Sequence, residues 1–434
     1  MTADAWGDDE NGTVSIADNG DIRLLQSVDN FQGARLYRSI TLLLGMKPDE
    51  HEYKVMGLAA YAKPEYYKAV YEVFRSTQYV DGLGFAYRTK PTDLYVWFRD
   101  RFEGQRFDAI AGALQQYTEE VMTEWTLNAL RTTGARRVVF GGGAAMNVKA
   151  MMKIASLLEV DDLFVCATPS DESLAIGSAY VVTHDALKAR GENPTKRLRP
   201  LANAYLGPAP TAQQIDTTIS TLAMNPAYRI QDQFDPREVA RMIADGKIVG
   251  RCAGRCEFGA RALGNRSILA DPRDVQVIRR INESIKSRDF WMPFAPSIKI
   301  ERADDYLADR KGMRAPYMTQ AFATTKLAQR DLLAGLHQAD LTCRPQLVDC
   351  KANPEYHQLI TEFEKLTGVG GLLNTSFNLH GEPIVHTPSD AARVYEMSNL
   401  DVLLLDGVMV QKVEQKAEPG RLSALPVAMR SGRP

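Results

Sequence analysis

Cysteine and histidine are scarce in this chain: five and six among 434 residues. An odd, small number of cysteines in a long chain is no disulfide framework, and reduced thiols are expected. Cys252 and Cys256 lack two further soft ligands at matching spacing, which excludes a structural zinc site built on them. No apolar run approaches the roughly 20 residues that span a bilayer. The opening stretch "MTADAWGDDENG" is acidic and has no apolar core of a secretory signal. A cytoplasmic location with no membrane partner is therefore expected. Charge of one sign is also missing: 52 basic residues stand against 54 acidic ones, a net of -2. Such a balance gives no field that draws the whole molecule to a polyanion, so nucleic acid is not an expected partner.

What the chain does have is bulk. With 45% hydrophobic residues over this length it can bury large cores, and two domains are expected. The expected division is 1–195, a linker at 196–210, a second domain at 211–415 and a flexible tail at 416–434. Ile110, Leu114, Tyr117, Val121 and Trp125 recur at helical spacing, which predicts one long amphipathic helix over 108–132. "RRVVFGGGAAMN" then reads as a strand at 138–140 running through three glycines into another helix. "LFVCATPSDESLAIGSAY" repeats that order, with a strand at 163–167 and a helix from about Ser173. Two such units predict an α/β domain whose ligands sit where strands give way to helices. Lys, Arg, Asn and Pro crowd the stretch from about 185 to 210, which marks the linker region. Beyond it, Asp235 is placed to cap a helix from Pro236 that Gly246 ends, followed by a strand at 248–251. "GVGGLLNTSFNLHGEP" reads as an apolar strand entering a polar loop, and "HTPSDAARVYEM" as a capped helix. "DVLLLDGVMVQKV" reads as a strand pair turning at Asp406 and Gly407. The second domain is expected to be α+β.

The chemistry gathers in a few short stretches. "CEFGARALGNRSILADPRD" places Arg261 and Arg266 on either side of Gly264. Arginine offers a fixed fork of donors matched to phosphate-like oxygens, and glycine lets backbone N–H groups come close to an anion. Lys286 and Arg288, then Arg344, then Asn374, Ser376 and Asn378 of "NTSFN" are further donors. The same residue types also make solvated surface charge and ordinary turns, and their spacing does not choose between the two. "GGGAAMN", with Gly141, Gly142, Gly143 and Asn147, could cradle a phosphate or simply allow tight backbone packing. Asp171 fits either a metal ligand or a helix cap.

Six collinear motifs carry a resemblance: "EYKVMGLAAYA", "GGGAAMN", "TPSDESLAIGSA", "EFGARALGNRSILADPRD", "HQADLTCRPQ" and "LLNTSFNLHGEPIVHTPSDA". Together they resemble the O-carbamoyltransferases, which include nodulation and antibiotic-tailoring enzymes. The resemblance implies a first domain of the actin/Hsp70-like ATPase class, incomplete at its N-terminus, followed by a YrdC-like domain. It implies that carbamoyl phosphate and ATP give carbamoyl adenylate, from which the carbamoyl group passes to a hydroxyl of a sugar-containing or natural-product acceptor. By motif, Arg261, Lys286, Arg344, Asn374 and Ser376 are implied at the carbamoyl phosphate and ATP site. Arg266 and Arg288 are further expected donors there. Gly141, Gly142, Gly143 and Asn147 are implied at the adenylate, and Asp4 and Asp171 at iron or another divalent metal.

Two departures qualify the implication. The family usually carries further chain before the equivalent of Asp4, with a paired-histidine metal motif, and no early HxxxH pair stands here. Met292 replaces an arginine found in many relatives. The expected activity is therefore carbamoyl transfer, with a second polypeptide as a possible supplier of the N-terminal segment. The alternatives are one subunit of a split enzyme or a truncated nucleotide-binding or regulatory relative that does not transfer. A sugar-kinase-like phosphotransferase is disfavoured by "RALGNR" and "NTSFN".

Overall fold

A computed structural model describes residues 1–7 and 9–413. The expected tail at 416–434 lies outside the described residues. The first part opens with β1 (Thr2–Ala3), β2 (Gly12–Asp18) and β3 (Asp21–Val28), an antiparallel sheet in that order. Helices α1 (Gly33–Leu43) and α2 (Glu52–Ala59) follow, then a hairpin of β4 (Gln78–Asp81) and β5 (Gly84–Tyr87). The long helix α3 (Phe107–Thr133) holds Ile110, Leu114, Tyr117, Val121 and Trp125 on its buried side, as their spacing predicts. Gly134 ends it at φ +70, a left-handed position that glycine reaches without strain. Next come β6 (Arg137–Val139), α4 (Val148–Ser156), β7 (Asp162–Phe164) and α5 (Ser173–Ala189), with β6 and β7 parallel. Thr2 bridges in parallel to Gly141, so β1 lies beside the chain that leaves β6 and joins the two small sheets.

The second part is built on one eight-stranded mixed sheet. In chain order its elements are β8 (Tyr228–Asp232), α6 (Pro236–Ala244), β9 (Val249–Cys252), β10 (Arg266–Ala270), β11 (Ala295–Lys299), β12 (Gln346–Val348), α7 (Pro354–Thr367), β13 (Gly371–Ser376), α8 (Pro388–Glu396), β14 (Val402–Leu405) and β15 (Val408–Lys412). The strand order is β12-β11-β13-β10-β9-β14-β15-β8. Successive strand residues face opposite sides. Leu269, Leu372, Val402 and Leu404 pack with α6 and α7, whereas Ile268, Leu373, Leu403 and Leu405 pack with α8. The sheet thus has helices on both faces, and its strands read as nearly continuous apolar runs. This is a mixed α/β architecture.

Some expectations hold and others shift in detail. Asp235 caps α6 by accepting from the Arg237 N–H at 2.8 Å, and Leu405 pairs with Val408 across the Asp406-Gly407 turn. The strand expected at 163–167 is the shorter β7. Part of the expected linker is helical, because α5 extends to Ala189 and a turn of helix covers Pro194–Arg197. "NTS" belongs to β13 rather than to the polar loop, since its backbone continues the ladder with β10 and β11. All five cysteines are unpaired. Among the described residues no helix is long and apolar enough to cross a membrane.

Candidate functional site

The loop between β9 and β10 is held from inside by a carboxylate. Glu257 Oε1 accepts the backbone N–H groups of Leu263 at 2.7 Å, Asn265 at 2.8 Å and Arg266 at 3.1 Å. Two glycines at φ +112 make the path possible. A Cβ on Gly264 would overlap the Tyr356 ring, and one on Gly259 would crowd the Ala167 carbonyl of the first part. Folded in this way, the loop delivers Arg261 to a cleft of about 790 Å³ between the two parts of the molecule.

Arg288 and Arg344 line the same cleft. Burial holds all three guanidinium groups below the ordinary arginine value. Arg261 adds to the effect on Arg288, and both add to it on Arg344, which lies well below. Among the described residues no carboxylate pairs with any of the three. Arg344 donates to the Met318 carbonyl at 3.1 Å, and Arg288 sits 5.2 Å from the Phe294 ring centre. Asp49, Glu50, Glu52 and Glu382 also line the cleft, but Asp49, Glu50 and Glu382 pair with Arg38, Lys47 and Arg393. Three like charges without an ion pair among the described residues form a site that a polyanion relieves, and arginine forks suit phosphoryl oxygens. Ser376 and Asn378 face the cleft beside them.

Lys286 stands behind that wall. Its Nζ donates to Ser376 Oγ at 3.0 Å, to the Asn378 carbonyl at 3.1 Å and to Asn378 Oδ1 at 2.5 Å. Burial, then Arg288, pushes its ammonium well below the usual lysine value. Lys286 reaches a side pocket of about 340 Å³ that shares Arg288, Met292 and Asn378 with the main cleft.

The opposite wall comes from the first part. Gly143, Asn147 and Lys149 line it, together with Tyr37 and Tyr53. Asn147 caps α4 through Ala150 N at 3.0 Å and exchanges two 3.0 Å hydrogen bonds with Gln115, which also accepts from Tyr37. Lys149 crosses to the second part, where it pairs with Asp340 and donates to Thr342 Oγ1 at 2.6 Å. His337 bridges the parts too. Its Nδ1 accepts from Ala339 N at 3.2 Å, which leaves Nε2–H to donate to the Gly57 carbonyl at 3.0 Å. Burial lowers its pKa, in keeping with that neutral form.

Several expected site residues do other work. Arg266 is 1% exposed and donates to the carbonyls of His386, Ala253, Gly254 and Asn265, so it fastens loops and does not meet the cleft. Asn374 is buried among the Ala262 carbonyl, Ser297 and Gln346. Gly141 and Gly142 lie outside the cleft lining. Gly142, at φ +86, donates its N–H to the Pro169 carbonyl, and a Cβ there would overlap Ala3.

The expected metal ligands do not assemble. Asp4 spends its carboxylate on Gly143 N and Ala5 N, both at 2.7 Å. Asp171 is exposed at the entry to α5. Among the described residues no three His, Cys, Asp or Glu side chains gather to hold a metal ion. These residues do not fit an iron centre with several protein ligands. Asp4 instead organises the glycine loop.

Sequence reasoning left Glu257, Lys149, His337 and Asp340 unassigned. Each stands in or beside a motif that carried the resemblance. Their signal was a polar residue in a motif whose chemistry was already attributed to a neighbour.

The cleft thus lies between two distinct parts of the molecule, with a cluster of three arginines on one side. Residues 9–180 match the carbamoyltransferase N-terminus and residues 240–412 match the carbamoyltransferase C-terminus. The chain belongs to the carbamoyltransferase family. It is 32% identical to nodulation protein NolO of Bradyrhizobium diazoefficiens over 418 residues, which cover 94% of this chain and 74% of that protein. It is 33% identical to the uncharacterized protein sll1178 of Synechocystis over 414 residues, covering 88% and 67%. Nodulation protein NolNO of Sinorhizobium fredii is 30% identical over 440 residues, covering 99% and 62%. The chain thus spans about two-thirds of the length of the curated relatives it matches. Among solved structures, full-length HypF in its phosphate- and nucleotide-bound form overlaps 44% of this chain and 23% of that chain. The overlap has a TM-score of 0.28 at 16% identity, too slight to define the fold.

Proposed function

We propose that the protein is an O-carbamoyltransferase that uses carbamoyl phosphate and ATP. In this reading residues 211–415 are a YrdC-like domain that forms carbamoyl adenylate, and residues 1–195 belong to an actin/Hsp70-like domain that presents the acceptor. Water cleaves carbamoyl phosphate to carbamate and phosphate, a carbamate oxygen displaces pyrophosphate from the α-phosphorus of ATP, and an acceptor hydroxyl then attacks the carbamoyl carbon, loses its proton to solvent and expels AMP. Every stage leaves or moves an anion. Arg261, Arg288 and Arg344, which are themselves buried, neutralise that charge, and fixed donors act strongly where water is excluded. Lys286 holds Ser376 and Asn378 against the same ligand. Gly143 and Asn147 face it from the acceptor side. The acceptor is a sugar-containing or natural-product hydroxyl, and the five unpaired cysteines support a reducing, cytoplasmic setting.

The carrying observation is the cluster of three arginines without a carboxylate partner. Purified protein mixed with ATP and carbamoyl phosphate is expected to release pyrophosphate. Arg344→Ala is expected to lower that rate on the order of 10²-fold, as loss of one charge-assisted donor does. A folded protein that releases none overturns the reading. One observation favours a second reading, in which this polypeptide binds nucleotide without transferring. Asp4 is committed to backbone N–H groups, and among the described residues no metal cluster surrounds it. Pyrophosphate release with no carbamoylated product from any hydroxyl acceptor would select that alternative.

A further inference from the structure

Helix α2 occupies the first eight residues of "EYKVMGLAAYA" and packs along the second part of the molecule. Lys54 pairs with Asp289 at 3.1 Å, and its carbonyl accepts from Trp291 at 3.2 Å. One turn on, the Gly57 carbonyl accepts from His337, and a Cβ on Gly57 would stand 3.3 Å from both Met292 Sδ and the Trp291 carbonyl oxygen. Glycine at this position lets the helix lie directly against that stretch. Residues four apart share a helix face, so the contact that holds Gly57 also turns Tyr53 toward the second part. Tyr53, Met56 and Gly57 accordingly line the cleft.

Tyr53 reaches one end of the arginine cluster. It lines the main cleft with Arg261 and Arg288, and the side pocket with Arg288, Met292 and Asn378. Burial lowers the guanidinium values of Arg261 and Arg288, and Tyr53 is the neighbour that acts upward on both. On Arg344 the neighbours that act are Arg261 and Arg288, so the phenol stands nearer the first two. The His51 ring packs edge-on against Tyr53, with ring centres 6.3 Å apart. Tyr37, on the same wall, gives its hydroxyl to Gln115. The hydroxyl of Tyr53 has no hydrogen-bond partner among the described residues.

A phenol is a neutral donor. Beside three guanidinium groups it adds a hydrogen bond to an anion without adding to their mutual repulsion. We propose that Tyr53 is the first part's contribution to the anion site, its hydroxyl donating to an oxygen of the phosphoryl group that Arg261 and Arg288 hold. This deepens the reading above, resting on its phosphoryl site but not on the reaction performed there. The bound anion then bridges α2 and the loop between β9 and β10. The anion site is therefore shared by both parts of the molecule, and the second part alone lacks one of its donors.

The test is calorimetric titration of the full chain with inorganic pyrophosphate, in the absence of nucleotide and carbamoyl phosphate. The parent protein is expected to bind it. Tyr53→Phe is expected to weaken binding by about 10-fold or more, as loss of a donor to a charged acceptor does. Its melting temperature without ligand is expected to match the parent's, because the hydroxyl holds nothing in the free protein. In an Arg288→Ala background the same change is expected to cost less than about 3-fold, since two groups that hold one anion are coupled. Three results would each overturn the proposal: pyrophosphate that the parent does not bind, Tyr53→Phe that binds as the parent does, or a loss that is the same in both backgrounds. Because binding alone is read, a chain that binds pyrophosphate through Tyr53 but releases none from ATP and carbamoyl phosphate sinks only the proposed reaction.

Discussion

At the scale of single residues, the side chains that define the site divide into those that face a ligand and those that hold others in place. Arg261 faces the cleft because Glu257, which does not, draws three N–H groups of its loop onto one oxygen. Removing that acceptor leaves partly buried donors unpaired, each worth about 1–3 kcal/mol. Glu257→Ala is expected to lower kcat/KM for carbamoyl phosphate as far as Arg344→Ala does. Glu257→Gln, whose amide oxygen still accepts, is expected to retain most of the rate. Equal losses in both variants would mean that charge, and not loop geometry, is what Glu257 supplies. Arg266 and Asn374 carry the opposite lesson. Residue type made them plausible ligands, yet backbone carbonyls and buried side chains consume their donors.

Secondary-structure elements meet where glycine permits it. Between β9 and β10, Gly264 at φ +112 lies against the Tyr356 ring of α7, a contact that closes the loop onto the helix layer. Any side chain there meets both backbone strain and overlap, each costing about 1–3 kcal/mol. Gly264→Ala is expected to destabilise the second part by roughly 3 kcal/mol on that basis, read as a shift of the urea midpoint. A midpoint within error of the parent would show that the ring moves aside freely. The first part uses the same device on α3, where a Cβ on Gly112 would overlap Ala62 and the Tyr67 ring. In α3 the stripe from Ile110 to Trp125 fills one core by spacing alone.

Across the whole molecule, the two parts are clasped around the cleft by α2 and α4 on one side and, on the other, by Asp289 to Trp291 and the stretch from His337 to Arg344. Trp291 donates to the Lys54 carbonyl, Lys54 pairs with Asp289, and His337 and Lys149 span the gap. Two groups make this clasp sensitive to acid. Burial lowers the pKa of His337, so its share of stability is present above the ordinary histidine value and is lost as pH falls through its folded value. For Asp340 burial acts upward but Lys149 outweighs it, so the net shift is downward. Its share is likewise kept above the ordinary carboxylate range and lost at lower pH still. The protein is expected to be less stable at pH 5 than at pH 7, and His337→Gln is expected to reduce that difference. An unchanged difference in His337→Gln would place the acid sensitivity elsewhere.

The sequence by itself determined what depends on near neighbours. Periodicity specified α3, Asp235 and Pro236 the start of α6, and Asp406-Gly407 the turn between β14 and β15, because caps, turns and apolar stripes act over a few residues. Six motifs in order determined the family. Tertiary structure alone decided which motif residues face one another. Arg261, Arg288 and Arg344 come from three separate segments, and only the β9–β10 loop, the stretch before β11 and the stretch before β12 bring their charges into one cleft. It alone gave Asp4 to the glycine loop and Arg266 to carbonyls, since a polar side chain is committed by whichever partners folding places within hydrogen-bond reach.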